Sequence, residues 1–281
     1  MSTDEMDQKT FSFDPRVKRN SRLRRGIYLL PSVFTVANLL CGYYAVLATQ
    51  LGNATDTLPF DHAAKAIGFA FLFDSLDGRV ARLTGTNTEF GKQFDSIADV
   101  LSFGIAPAVL AYAWGVRYIS GQGTPLYQQV SQLGWVCCLF FLICCAWRLA
   151  RFNVHGMAPG GSRYFVGMPA PAAAVVIAAI VHAFHRTTIQ EVGWSVAWLL
   201  LAAALGALMT SAVRFYSFKD VAWTRRQPSI AIVLLALLGA AVWMYSEIVL
   251  LLLACSYAAA NVALQFVRSV RHRFVSRTRT A

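Results

Sequence analysis

Charge is scarce in this chain. Asp, Glu, Lys and Arg make up 14% of its 281 residues, against about 25% in soluble domains, and that shortage excludes an ordinary water-soluble surface. Acidic groups are the scarcer sign, with 14 Asp and Glu against 25 Lys and Arg. Internal repeats, low-complexity stretches and Pro/Gly-rich linkers are missing, so one integral domain is the simplest organisation. Cysteine is confined to positions 41, 137, 138, 144, 145 and 255, all inside apolar runs. The CC-x5-CC pattern has no histidine or charged partner near it, so these residues read as reduced, buried thiols that pack as small apolar groups.

What is present is hydrocarbon. Hydrophobic residues reach 57% and the mean hydropathy is +0.50. Apolar runs long enough to span a bilayer recur at roughly 27–49, 63–82, 94–115, 133–151, 167–185, 193–212, 229–245 and 248–267. The expected fold class is therefore all-α, a polytopic helical bundle with eight transmembrane helices. All but three of the 25 Lys and Arg (Lys65, Arg117 and Arg186) fall on one side if both termini are cytoplasmic. The net charge of +11 is first a topology signal, and its spread over five cytoplasmic segments makes nucleic acid a poor partner. The first run lies behind a long basic arm and exceeds the usual signal-peptide length, so it reads as a retained helix. The organisation expected is a basic arm at 1–26, which rests on anionic lipid over 16–25, a six-helix core at 27–212, two additional helices within 213–267, and a basic cytoplasmic tail at 268–281.

Four acidic residues sit where the hydropathy pattern least tolerates them. Asp74, Asp77, Asp95 and Asp99 lie in the second and third apolar runs. A carboxylate at a membrane helix centre costs about 2.5–3.5 kcal/mol, so four unpaired ones would oppose insertion by roughly 10–14 kcal/mol. At 100° per residue, Asp74, Asp77, Gly78, Ala81 and Arg82 fall within an arc of about 140°. Asp95 and Asp99 are one turn apart on the next helix, with Gly91 a turn before them. The intervening "TGTNTEF" is rich in turn and cap formers and predicts an antiparallel hairpin. Facing carboxylates suit hard divalent cations, whose charge would cancel theirs and whose open positions favour phosphate. Gly78, Ala81 and Gly91 leave room on those faces, and Arg82 suits a phosphate. Small residues and aspartates acting as helix–helix packing would explain one or two of these positions, not all of them. The pattern reads as a metal-dependent pyrophosphate site.

The motif Asp74-x2-Asp77-Gly78-x2-Ala81-Arg82-x8-Gly91-x3-Asp95-x3-Asp99 resembles the signature of the CDP-alcohol phosphotransferases, with every signature position at the family spacing. The resemblance implies a cytosol-facing polar cavity within a six-helix core, in a homodimer, in which Asp74, Asp77, Asp95 and Asp99 hold two divalent cations (Mg²⁺ or Mn²⁺). It implies that Gly78, Ala81, Arg82, Gly91 and Thr88 contact the CDP moiety and that Asp99 doubles as general base. Ser32, Thr35 and Asn38, within "PSVFTVAN", sit where relatives line the nucleotide cavity; capping of a helix kinked by Pro31 explains them almost as well.

The signature does not choose the acceptor alcohol. "RRGIYLLPSVFTVANLLCGYYAV", "WRLARFNVHG" at 147–156 and "YFVGMPAPAAA" at 164–174 resemble the phosphatidylserine synthase branch of that family. The substrates this implies are CDP-diacylglycerol and L-serine, in a protein of a bacterial inner membrane with its site facing the cytoplasm. Arg148, Arg151 and Asn153 would then bind serine, with positive-inside anchoring as the plainer role for the two arginines. Pro169 and Pro171 read as setting the start of a helix. The alternatives are a sibling using glycerol 3-phosphate, inositol or choline, a membrane prenyltransferase, and a divalent-cation transporter. His182 and His185 sit one turn apart near an outer helix end and read as interfacial packing rather than ligation, since no carboxylate accompanies them.

Overall fold

The computed structural model describes residues 19–84, 88–155, 164–211, 214–216 and 228–277. The expected all-α architecture holds. In chain order the elements are α1 (Arg19–Leu51), α2 (Leu58–Thr84), α3 (Glu89–Asp99), a π-helical turn (Val100–Ile105), α4 (Ala106–Gly115), α5 (Pro125–His155), β1 (Tyr164–Val166), α6 (Ala170–Ala183), α7 (Val192–Thr210), β2 (Arg214–Tyr216) and α8 (Pro228–Arg277). The two strands form a small antiparallel ribbon, Tyr164 opposite Tyr216 and Val166 opposite Arg214. Five helical stretches among the described residues are long and apolar enough to cross a membrane: Val33–Leu51, Glu89–Gly115, Pro125–Val154, Val192–Thr210 and Ala236–Ala260. Helix α2 is 27 residues long, and its aspartates and basic residues lower its hydropathy below that of the others. Helix α6 is apolar and short.

Local signals explain the helix boundaries. Pro169 precedes α6 and Pro171 occupies its first turn, where the missing N–H has no helical partner in any case. The π turn comes just before Pro107, a residue that cannot donate the bond a regular helix would ask of it, and the extra residue in the turn accommodates that loss. Helix α8 breaks at Tyr245 (φ −135°, ψ 49°), between the seventh and eighth expected spans.

The packing is that of a membrane bundle. The buried core is dominated by alanine, including Ala45, Ala48, Ala63, Ala66, Ala70, Ala106, Ala111, Ala173, Ala174 and Ala178. Large apolar side chains such as Leu40, Tyr44, Phe69, Trp135, Ile143 and Leu200 point outward. Small residues let helix backbones approach closely, which replaces the hydrophobic driving force that lipid removes. Gly42 shows how close. A Cβ there would lie 2.8 Å from the Ser102 Cα, so α1 and the π turn meet backbone to backbone, and Ser102 Oγ donates to the Asn38 carbonyl at 2.9 Å across the same contact. The cysteines behave as read: all six are free, with Cys137, Cys138, Cys144 and Cys145 buried.

The reading of His182 and His185 as unaccompanied by a carboxylate is corrected. Asp61, from the other end of α2 and 121 positions earlier in the chain, bonds His182 directly. Helical periodicity reports only neighbours three or four residues apart, so it could not show this pairing.

Candidate active site

Helices α2 and α3 carry the acidic residues; α1 packs against both, and α5 packs against the π turn and reaches α3 through Asn153. The carboxylates of Asp74, Asp95 and Asp99 come within 4.8 Å of one another. Asp77, one turn after Asp74, is buried and accepts a hydrogen bond from the Thr35 hydroxyl of α1. Asn38, one turn further along α1, donates its side-chain amide to Asp99 Oδ1 at 3.0 Å. The structure thus unites three of the four signature aspartates in one cluster, and Asp77 adjoins it through α1. Helix α1 runs unbroken from Arg19 to Leu51, which makes Thr35 and Asn38 buried interior residues rather than caps.

Several buried polar atoms here have no hydrogen-bond partner among the described residues. They are Asp77 Oδ1, Asp95 Oδ1, Asn38 Oδ1 and Arg148 Nε. A buried acceptor left unsatisfied costs about 1–3 kcal/mol, more when charged, so these atoms call for a ligand. Three converging carboxylates, with unpaired oxygens on Asp95 and on the adjoining Asp77, form a hard, oxygen-only donor set, and that set fits a divalent cation such as Mg²⁺ or Mn²⁺.

The remaining site residues divide by position. Gly78 is exposed, and a Cβ on it would meet nothing within 4 Å, so the face beside Asp77 is open. Thr88 is the N-cap of α3, and its Oγ1 accepts from Gly91 N at 3.0 Å; that bond holds the start of the helix that presents Asp95 and Asp99. The backbones of Ser32, Ala81 and Arg82 are helical, and their side chains lie outside the described residues. Arg148, on α5, lies within electrostatic range of Asp74 and Asp99. Asn153, five residues nearer the end of α5 and exposed, donates to Ser96 Oγ at 2.8 Å, next to Asp95. Arg151 is half-buried. An apolar groove of about 460 Å³ between α3, the π turn and α5 is lined by Leu39, Ile97, Val100 and Leu149, with Ser96 and Asn153 among its polar lining.

Two features escaped the sequence reading. The pairing of Thr35 with Asp77 and of Asn38 with Asp99 could be suspected only as lining polarity. Tyr257, on the second half of α8, interacts with Arg148, although that helix carries no recognisable motif.

The sequence model of the CDP-alcohol phosphatidyltransferase family matches residues 28–209 of this chain. The chain belongs to that family. It is similar to the CDP-diacylglycerol–serine O-phosphatidyltransferase of Helicobacter pylori, 33% identical over 75% of this chain and 81% of that protein. The protein of the same name from Methanocaldococcus jannaschii is 30% identical over 70% of this chain and 78% of its own length. The archaetidylserine synthase of Methanothermobacter thermautotrophicus is 35% identical over 66% and 69%. All residues that build the aspartate cluster lie inside the CDP-alcohol phosphatidyltransferase match, and the whole of α8 lies outside it.

Proposed function

We propose that this chain transfers a phosphatidyl group from CDP-diacylglycerol to L-serine, releasing CMP. The observation that carries the reading is the convergence of the Asp74, Asp95 and Asp99 carboxylates within 4.8 Å of one another, in a family whose similar members bear serine transferase names. Divalent cations held by Asp74, Asp77, Asp95 and Asp99 would bind the pyrophosphate and stabilise the charge that builds up on it.

The chain's own residues supply the rest. Asp99 has one oxygen engaged by Asn38, which orients the carboxylate. Its other oxygen can accept the proton of the serine hydroxyl as that oxygen attacks the phosphorus bearing the lipid. Gly78 leaves space for the nucleotide, and Gly91, Ala81 and Arg82 would complete its site, with Arg82 as the phosphate partner. Arg148, already beside the cluster, has an unpaired Nε with which to bind the serine carboxylate, and Arg151 and Asn153 extend the same end of α5 toward the acceptor. The apolar groove along α3 suits an acyl chain. The bond from phosphorus to CMP breaks as the bond to serine forms.

The arrangement in the membrane follows from the charge pattern. The six-helix core spans 27–212, two further helices follow, both termini are cytoplasmic, and the site opens to the cytoplasmic face of a bacterial inner membrane. The decisive assay is CMP release from CDP-diacylglycerol in detergent with a panel of alcohols. Rapid release with serine alone is expected. Equal or faster release with glycerol 3-phosphate, inositol or choline would transfer the chain to a sibling activity.

A further inference from the structure

A second constellation lies at the opposite end of α2. Asp61 is about 20 Å along the helix axis from Asp74, at roughly 1.5 Å per residue. Its Oδ1 bonds His182 Nδ1 of α6, and its Oδ2 takes an ion pair from Lys65 Nζ at 2.7 Å. The other ring nitrogen, His182 Nε2, lies 2.9 Å from Ser246 Oγ of α8. The carboxylate can only accept, so Nδ1 carries a proton, and in the Nδ1–H tautomer Nε2 presents a lone pair to the serine O–H. Asp61 and His182 are buried, whereas Ser246 is half-buried. Ser246 follows the break at Tyr245, where the second half of α8 begins.

Two plainer roles fit less well. Asp61, His182 and His185 come close enough to suggest a cation site. Both nitrogens of His182 are already engaged, His185 Nδ1 is bonded to the His182 carbonyl at 2.8 Å, and the Lys65 ammonium holds the remaining Asp61 oxygen, so a cation would have to displace three bonds and face a positive charge. A purely structural tie between α6 and α8 would need one hydrogen bond, not a buried acid that fixes the tautomer of a buried base aimed at a half-exposed hydroxyl.

We propose that Ser246 is the nucleophile of a second site, with His182 as its general base and Asp61 as the group that orients the base. The substrate class is the acyl ester of an amphipathic alcohol. Trp243, Met244, Tyr245 and Ile248 around the serine are all exposed, and such side chains seat a ligand at a membrane–water boundary. In the reaction, Ser246 Oγ attacks the ester carbonyl carbon while His182 Nε2 takes its proton. The ester C–O bond breaks, and the leaving alcohol takes the proton back from His182. Water, deprotonated by His182, then releases the acid and restores the serine.

The test uses the full-length protein in detergent with a fluorescent fluorophosphonate, in which Ser246 Oγ would displace fluoride from phosphorus. Labelling is expected in the native protein, absent after heat denaturation, with the adduct mapped to Ser246 by peptide mass spectrometry. Ser246→Ala should abolish it, and His182→Gln and Asp61→Asn should slow it by at least about 10²-fold. CMP release from CDP-diacylglycerol, measured on the same preparations, reports whether each variant is folded. Native protein that releases CMP yet stays unlabelled over hours of excess probe overturns the proposal. So does an adduct elsewhere, or one that forms on Ser246 at an undiminished rate in folded His182→Gln or Asp61→Asn. If those variants do not fold, the mapped adduct on native protein decides alone.

Discussion

Asn38 and Asp99, 61 positions apart on α1 and α3, are joined by a 3.0 Å hydrogen bond inside the aspartate cluster. The carbonyl of the same Asn38 accepts from Ser102, one turn beyond Asp99. One residue of α1 thus grips α3 and the π turn at two points and sets the direction of the Asp99 carboxylate. A hydrogen bond to a charged group contributes about 1.5–3 kcal/mol. Asn38→Ala should therefore lower kcat/KM for CMP release by roughly 10- to 100-fold, at about 1.4 kcal/mol per tenfold, with helix content unchanged by circular dichroism. An unaltered rate would reduce the bond to packing.

Asp99→Asn separates ligand from base. The amide keeps the shape of the side chain but cannot take the serine proton. Turnover should fall by at least about 10²-fold at saturating Mg²⁺, while CDP-diacylglycerol still binds. Recovery to near the native rate as Mg²⁺ rises would make Asp99 a ligand only.

Chelation gives the third expectation. Exhaustive EDTA treatment should abolish CMP release, and Mg²⁺ or Mn²⁺ should restore it. Asp74→Asn and Asp95→Asn should reproduce the chelated state, because both carboxylates belong to the convergent cluster. Activity that survives EDTA would remove the cations from the mechanism.

The acceptor end of α5 is tested by comparing Arg148 with Arg151. Arg148 lies within electrostatic range of Asp74 and Asp99. Arg148→Ala should raise the KM for serine by at least about tenfold, the loss expected of one charge-assisted hydrogen bond, and Arg148→Lys should restore only part of it. Arg151→Ala should raise the serine KM by less, with nucleotide affinity unchanged. A larger effect at Arg151 would reverse the two assignments.

Gly42→Ala probes the close contact of α1 with the π turn. The added methyl would meet Ser102 Oγ at 2.3 Å and Ser102 Cα at 2.8 Å. Backbone cannot move aside as a side chain can, so destabilisation of about 1–3 kcal/mol is expected. A lower melting temperature in detergent would register it.

The residues themselves determined much of this protein. Hydropathy runs and the basic pattern predict an all-helical membrane bundle, because a helix that satisfies its own backbone is the simplest way through lipid. The spacing of Asp74, Asp77, Asp95 and Asp99 was equally readable, since residues three or four apart share a helix face whatever surrounds them. Pro169 and Pro171 marked a helix start for the same local reason. Only the tertiary structure decided which groups meet across helices. It turned Asp77 toward Thr35, paired Asn38 with Asp99, and brought Arg148 within electrostatic range of the cluster. It also joined Asp61, His182 and Ser246 from α2, α6 and α8. Such pairs are fixed by crossing angle and by close approach at small residues such as Gly42 and the alanines of the core. Periodicity along one helix carries no record of the rotation of its neighbour, and so none of these contacts can be read from it.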